Sequence, residues 1–178
     1  MKSLLIPAII LLLFISCKED EEITPEYDFV PGEVLLHTDG TVSAREVFDF
    51  INSFDEVEVE RVNNEVYLSE LPSDSLNYVL EYLNAKSYTN DEVWSVTGYR
   101  HYATDAITIF PKLFNIKNQE NQADWLESMQ ILQLREKGEG FNIFFKVPEG
   151  QEKEWKKRFE AYDFVEWVEL NYIIPITR

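Results

Sequence analysis

The apolar residues between 33 and 172 change their spacing in a set order, and that order constrains the fold more than any other feature of the chain. Glu33-Val34-Leu35-Leu36-His37 is a short apolar run with strand character, ended by the turn signal Asp39-Gly40. Ser43 stands at a helix N-cap position with Glu46 three residues on, the spacing of a capping box. Val47, Phe48, Ile51 and Phe54 then recur at helical spacing. Val57, Val59 and Val62 alternate with charges as a strand, Asn63-Asn64 reads as a hairpin turn, and Val66-Tyr67-Leu68 as the partner strand. Pro72 and Ser73 open a second helix with Leu76, Val79, Leu80 and Leu83 on one face, and Val93, Trp94 and Val96 form a strand after it.

The remainder repeats the order. Ala106 to Phe110 reads as a strand, Gln119 to Gln130 as a helix carrying Trp125, Leu126 and Met129, and Ile131, Leu132 and Leu134 as a strand. Lys137-Gly138-Glu139-Gly140 is a turn, and Phe141 to Val147 its hairpin partner. Glu149 to Tyr162 is a charged helix with Trp155, Phe159 and Tyr162 on one face, and Phe164 to Tyr172 the last strand. Two runs of β-α-β-β-α-β predict an α+β protein of two tandem ferredoxin-like units with antiparallel sheets, at 30–98 and 106–178, joined by a linker at 99–105. The similar strings Glu92-Val93-Trp94-Ser95-Val96 and Glu166-Trp167-Val168-Glu169 fit a duplication. The second face of each sheet needs a cover, and the simplest cover is the other unit.

Ahead of this lies Met1 to Cys17, with Lys2 as a positive start and an apolar run from Leu4 to Ile15. That run is long enough for a signal-peptide core and too short for a stable transmembrane helix. Phe14-Ile15-Ser16-Cys17 resembles the lipobox of bacterial lipoproteins, with Phe14 where that family commonly has Leu. The resemblance implies a signal peptide at 1–16 and acylation of Cys17, so that the protein is held on a membrane by lipid. An ordinary cleaved signal peptide, or a short anchor with an incidental Cys, is the alternative. Lys18-Glu19-Asp20-Glu21-Glu22 is similar to the acidic run that marks some lipoproteins for the cell surface, and it also reads as a solvated tether over 17–29. The expected location is the bacterial cell envelope, as an outer-membrane lipoprotein.

Composition narrows the functions. With 16 Lys and Arg against 33 Asp and Glu, the net charge is −17, which argues against nucleic acid as a partner. The single Cys leaves neither an internal disulfide nor a Cys-based zinc site. Of the two His, His37 falls in a strand and His101 in the linker, and no Gly-x-Ser-x-Gly accompanies either. Glu56, Glu58 and Glu60 alternate with Val57 and Val59, which places three carboxylates on one strand face. No Asp-x-Asp-x-Asp-Gly loop is present to make them a calcium site, so a solvated face is the better reading. Six Gly leave little for a phosphate cradle. No metal and no cofactor are expected. Tyr78, Tyr82, Tyr88, Tyr99 and Tyr102 exceed what the core needs and are candidates for protein or carbohydrate contacts.

Two strings carry a further resemblance. Val30-Pro31-Gly32-Glu33-Val34-Leu35 and Val165-Glu166-Trp167-Val168-Glu169-Leu170-Asn171-Tyr172 resemble the first and last strands of prodomains of subtilisin-like serine proteases. Leu170 stands where those prodomains commonly have Pro, and here the strings fall in different halves of the chain. Such prodomains are split β-α-β folds that chaperone and inhibit their protease, packing their sheet on the enzyme and laying the C-terminal tail in its cleft. The resemblance implies that Tyr172-Ile173-Ile174-Pro175-Ile176-Thr177-Arg178 is a partner-binding tail. Taken together, the chain reads as a lipid-anchored, non-catalytic protein-binding module of the cell envelope. A prodomain-type inhibitor of a subtilisin-like protease is the narrower alternative, and a carboxylate-based hydrolase the disfavoured one.

Overall fold

The computed structural model describes residues 28–64 and 66–173. The expected signal peptide at 1–16, the acylated Cys17, nearly all of the tether and Ile174 to Arg178 lie outside the described residues. Within them the chain is α+β, with two antiparallel sheets and four α-helices. In chain order these are β1 (Phe29–Thr38), α1 (Ala44–Asn52), β2 (Glu58–Asn64), β3 (Tyr67–Ser69), α2 (Leu76–Asn84), β4 (Thr97–His101), β5 (Ala106–Phe110), β6 (Leu113–Phe114), α3 (Gln119–Ile131), β7 (Leu134–Glu136), β8 (Phe141–Lys146), α4 (Glu152–Phe159) and β9 (Val165–Tyr172).

The tandem arrangement is not what the strands form. One sheet has the order β6-β2-β8-β1-β9 and the other β4-β5-β3-β7, so each draws strands from both expected units. β1 pairs with β8 and β9, which come more than 100 residues later. The expected linker at 99–105 is occupied by most of β4 and by the turn into β5, and 93–96 precedes the strand instead of forming it. Neither predicted hairpin closes. Asn63 and Asn64 stay extended inside β2, opposite Asn142 and Phe141 of β8. A two-residue type I′ turn needs positive φ at both positions, and among the described non-glycine residues such φ values occur at Asp105, Asn115 and Gln133.

Instead, β2 pairs with β8 in one sheet and β3 with β7 in the other, so the same two stretches of chain lie side by side in both sheets. Asn64 faces Phe141, but Tyr67 faces Glu136, which leaves two extra residues on the later strand. Gly138 and Gly140 take them up at φ +79° and +81°, a conformation that side chains with a Cβ seldom adopt. The first helix forms as its sequence predicts. The Ser43 side chain accepts from the Glu46 amide, and the Glu46 carboxylate accepts from the Ser43 amide at 2.8 Å. A second cap comes from far away, as Glu136 accepts from the Ala44 amide at 2.9 Å.

Both helices of the five-stranded sheet lie on one face. Phe145 of β8 stacks on Phe159 of α4 with centroids 4.4 Å apart, and Phe50 of α1 meets both rings edge-on. Trp155, Phe159 and Ile51 are completely or almost completely buried in this layer. On the second sheet Tyr67 packs edge-on against the buried Trp125 of α3. Asn52 and Gln122 exchange hydrogen bonds of 2.9 and 3.0 Å between α1 and α3, so the helical cover runs on from one sheet to the other.

Candidate functional site

Strand alternation sends β1 residues Val34, Leu36 and Thr38 into the core and Glu33, Leu35 and His37 to the opposite face. Register then builds rows across that second face. Trp167, His37, Asn142 and Asn63 form one row, and Glu169, Leu35, Phe144, Arg61 and Phe114 the next. Glu33 opposes Lys146 in a third. This face is open to solvent: Trp167 is 39% exposed and the Lys146 side chain 41%.

Two of the three register shifts in the β1–β9 and β2–β8 pairings shape it. Val59 faces Phe145 and Arg61 faces Phe144, so Glu60 is an extra residue in β2. This reverses the alternation, which is why both Val59 and Val62 are buried although they are three residues apart. The three expected carboxylates therefore do not form a single row. Glu58 faces Lys146, Glu60 pairs with Arg61 and lies 3.2 Å from Lys146, and Glu56 reaches Arg158 at 3.5 Å. Glu166 is the extra residue of the other bulge, between the pairs His37 with Trp167 and Thr38 with Val165.

The side chains on the face hold one another. His37 stacks on Trp167 with centroids 5.3 Å apart and planes 12° from parallel. Its Nδ1 lies 3.0 Å from Asn142 Oδ1 and its Nε2 3.6 Å from the Glu166 carboxylate. The Arg61 guanidinium sits 3.5 Å above the Phe144 ring, a cation–π contact. Glu33 accepts from Lys146 and from Asn171. The Lys146 hydrogen bond, then the Asn171 one, holds the Glu33 carboxyl below its ordinary range, and Glu33 in turn raises the Lys146 ammonium above its own. The result is a set of apolar surfaces, Leu35, Phe144 and Trp167, in a charged net whose members are already oriented.

The two prodomain-like strings meet here, on the adjacent strands β1 and β9. Gly32, in the first, has φ +76°, and its amide donates to the buried Glu152 carboxylate at 2.7 Å. Burial pushes the Glu152 carboxyl up, but the Gly32 and Gly150 amides on the same oxygen outweigh that and hold it below its usual range. Of the expected tail, Tyr172 faces Phe29 and is 47% exposed. The Ile173 amide donates to the Asp28 carbonyl at 2.7 Å.

The spare tyrosines do not assemble into a site. Tyr88 is buried and donates to Asp124 at 2.5 Å, with Lys86 on the same carboxylate at 2.9 Å. Tyr78 and Tyr82 are neighbours on α2, whereas Tyr99 stacks on Phe110 and lies beside His101 on the other sheet. Tyr102 projects from the β4–β5 turn. Among the described residues no group of three or more His, Cys, Asp or Glu is placed to hold a metal ion. Sequence reasoning missed the His37–Trp167 pair because nothing local links residues 130 positions apart. The exposed Trp167 and the partly buried Leu35 and Phe144 were visible only as members of strands. No protein-family model matches the chain, and no curated protein or solved structure is similar enough to count as a relative.

Proposed function

We propose that the protein is a lipid-anchored, non-catalytic protein-binding module of the bacterial cell envelope, and that its partner docks on the open face of the five-stranded sheet. The observation that carries this is the face that holds Trp167, 39% exposed, beside the partly buried Leu35 and Phe144 and among oriented charges, on a sheet whose other face packs against α1 and α4. Exposed aromatic anchors within a polar rim are what a protein interface needs. A photo-crosslinking residue at position 144 or 167, on the open face, is expected to trap one defined partner in cells, and the same residue at 157, on α4, to trap none. Identical adducts from both faces overturn the reading. Loss of acyl labelling in Cys17→Ala tests the anchor.

One arrangement favours the narrower reading, an inhibitor of the prodomain type. Without 65–140, the series β1-α1-β2-β8-α4-β9 has the β-α-β-β-α-β order of a single ferredoxin-like unit, in the strand order β2-β8-β1-β9. Residues 65–140 are then an insertion at the hairpin between its second and third strands, and both prodomain-like strings belong to one unit. Tight inhibition of a subtilisin-like protease that is lost when the chain stops at Asn171 supports this reading. No inhibition, or digestion of the protein as a substrate, overturns it.

A further inference from the structure

β9 ends the five-stranded sheet and, among the described residues, pairs only with β1. Its Val168 carbonyl turns away from β1 and accepts a hydrogen bond from Lys156 Nζ of α4. In an antiparallel ladder the N–H and C=O of one residue point the same way, and every second residue repeats that direction. The pairing of Val168 with Leu36 and Leu170 with Val34 is unshifted, so Val168 and Leu170 both present their backbone groups off the edge.

A groove of about 450 Å³ follows this edge. Glu160, Glu166 and Glu169 line it against the single base Lys156. Lys156 is an i,i+4 partner of Glu160, the C-cap of α4, so its charge is answered at the end of its own helix. That leaves Glu166, with its side chain 62% exposed, and the exposed Glu169 to set the sign of the groove. A second copy of the chain is a poor occupant, because it brings the same acidic edge and a net charge of −17.

We infer that β9 is the acceptor strand for an extended, positively charged segment of a partner protein, and that Lys156 holds the Val168 carbonyl until that segment supplies its own N–H. This rests on the protein-binding reading above and adds to it a second contact, made by backbone hydrogen bonds. When displaced, Lys156 keeps Glu160.

The test uses the whole protein and a labelled nine-residue peptide of alternating Lys and Val. Saturable binding by fluorescence anisotropy is expected, with slowed exchange of the Val168 and Leu170 amides. N-methylation of alternate peptide residues is expected to weaken binding at least tenfold, and a Glu/Val peptide is expected not to bind. Lys156→Met is expected to bind the Lys/Val peptide several-fold more tightly. Equal binding of the N-methylated peptide reduces the effect to charge and overturns the proposal, as does protection at another surface or self-association through β9. A partner that crosslinks at position 144 while the edge ignores the peptide overturns the edge proposal alone.

Discussion

Gly40 and Gly138 meet backbone to backbone: a Cβ on Gly40 would lie 1.9 Å from the Gly138 carbonyl oxygen. Gly140 is as tight, with its Cβ position 2.0 Å from the Thr38 carbonyl oxygen. The β1–α1 turn is thereby pressed on the two-residue expansion that joins the sheets. Gly40→Ala and Gly140→Ala are each expected to destabilise by at least about 1–3 kcal/mol, the range for overpacking. Gly150 supplies the control, since it has φ +84° but nothing within 4 Å. Gly150→Ala is expected to cost only the left-handed backbone conformation, about 1 kcal/mol. Urea unfolding of the three variants separates clash from conformation.

Glu152 is a buried carboxylate serving two amides from one oxygen. Its folded carboxyl is held below the ordinary range, so its contribution is present above the unfolded value and fades as pH falls through the folded one. Glu152→Gln keeps an acceptor oxygen and is expected to cost less than Glu152→Ala, which strands the buried Gly32 amide at about 1–3 kcal/mol. The gap between wild type and Glu152→Gln is expected to close in acid. A constant gap from pH 7 to pH 3 contradicts the assignment.

Glu136 carries the opposite sign. Burial raises its carboxyl, Glu46 adds to that, and the Ala44 amide pulls the other way. The folded chain therefore holds this proton more tightly, and stability drains as pH rises from the ordinary carboxyl value through the raised one. Glu136→Gln retains an acceptor for Ala44 and is expected to melt slightly higher than wild type at pH 7, with the advantage gone at pH 4. A lower melting temperature at pH 7 refutes this account.

Phe159 and Trp167 are both large aromatics, but their surroundings separate them. Phe159 is fully buried against Phe145, Phe54 and Trp155. Phe159→Ala is expected to cost about 3–5 kcal/mol. Trp167 is 39% exposed and stacks only on His37 among the described rings. Trp167→Ala is expected to cost about 1 kcal/mol, the value of a stacked pair, while sharply reducing partner crosslinking at position 144. Large destabilisation by Trp167→Ala would make that residue part of the core and not of a docking face.

Much of the local structure was legible in the sequence, and most of the pairing was not. The Ser43–Glu46 cap, the buried face of α1, and Trp155 and Phe159 on α4 follow from spacing alone, because each lies within a few residues. The Asn63-Asn64 turn failed since Val62 and Tyr67 could both be buried by extending the strand, once Glu60 bulged and Gly138 and Gly140 absorbed the excess. The two expected runs of β-α-β-β-α-β did not form separate sheets, because periodicity carries no information about which strand lies beside which. The open face was hidden for the same reason. It exists only after β1 has found β8 and β9.

Asp28 and Ile173 share a hydrogen bond at the outer end of the β1–β9 ladder, so both ends of the described chain lie at one point. Were a membrane tether to hold one of those ends while a bound partner drew on the other, the two would pull in opposite directions from the same spot. Under such a load β1 and β9 part like a zipper, one rung at a time, instead of resisting together as they would in shear.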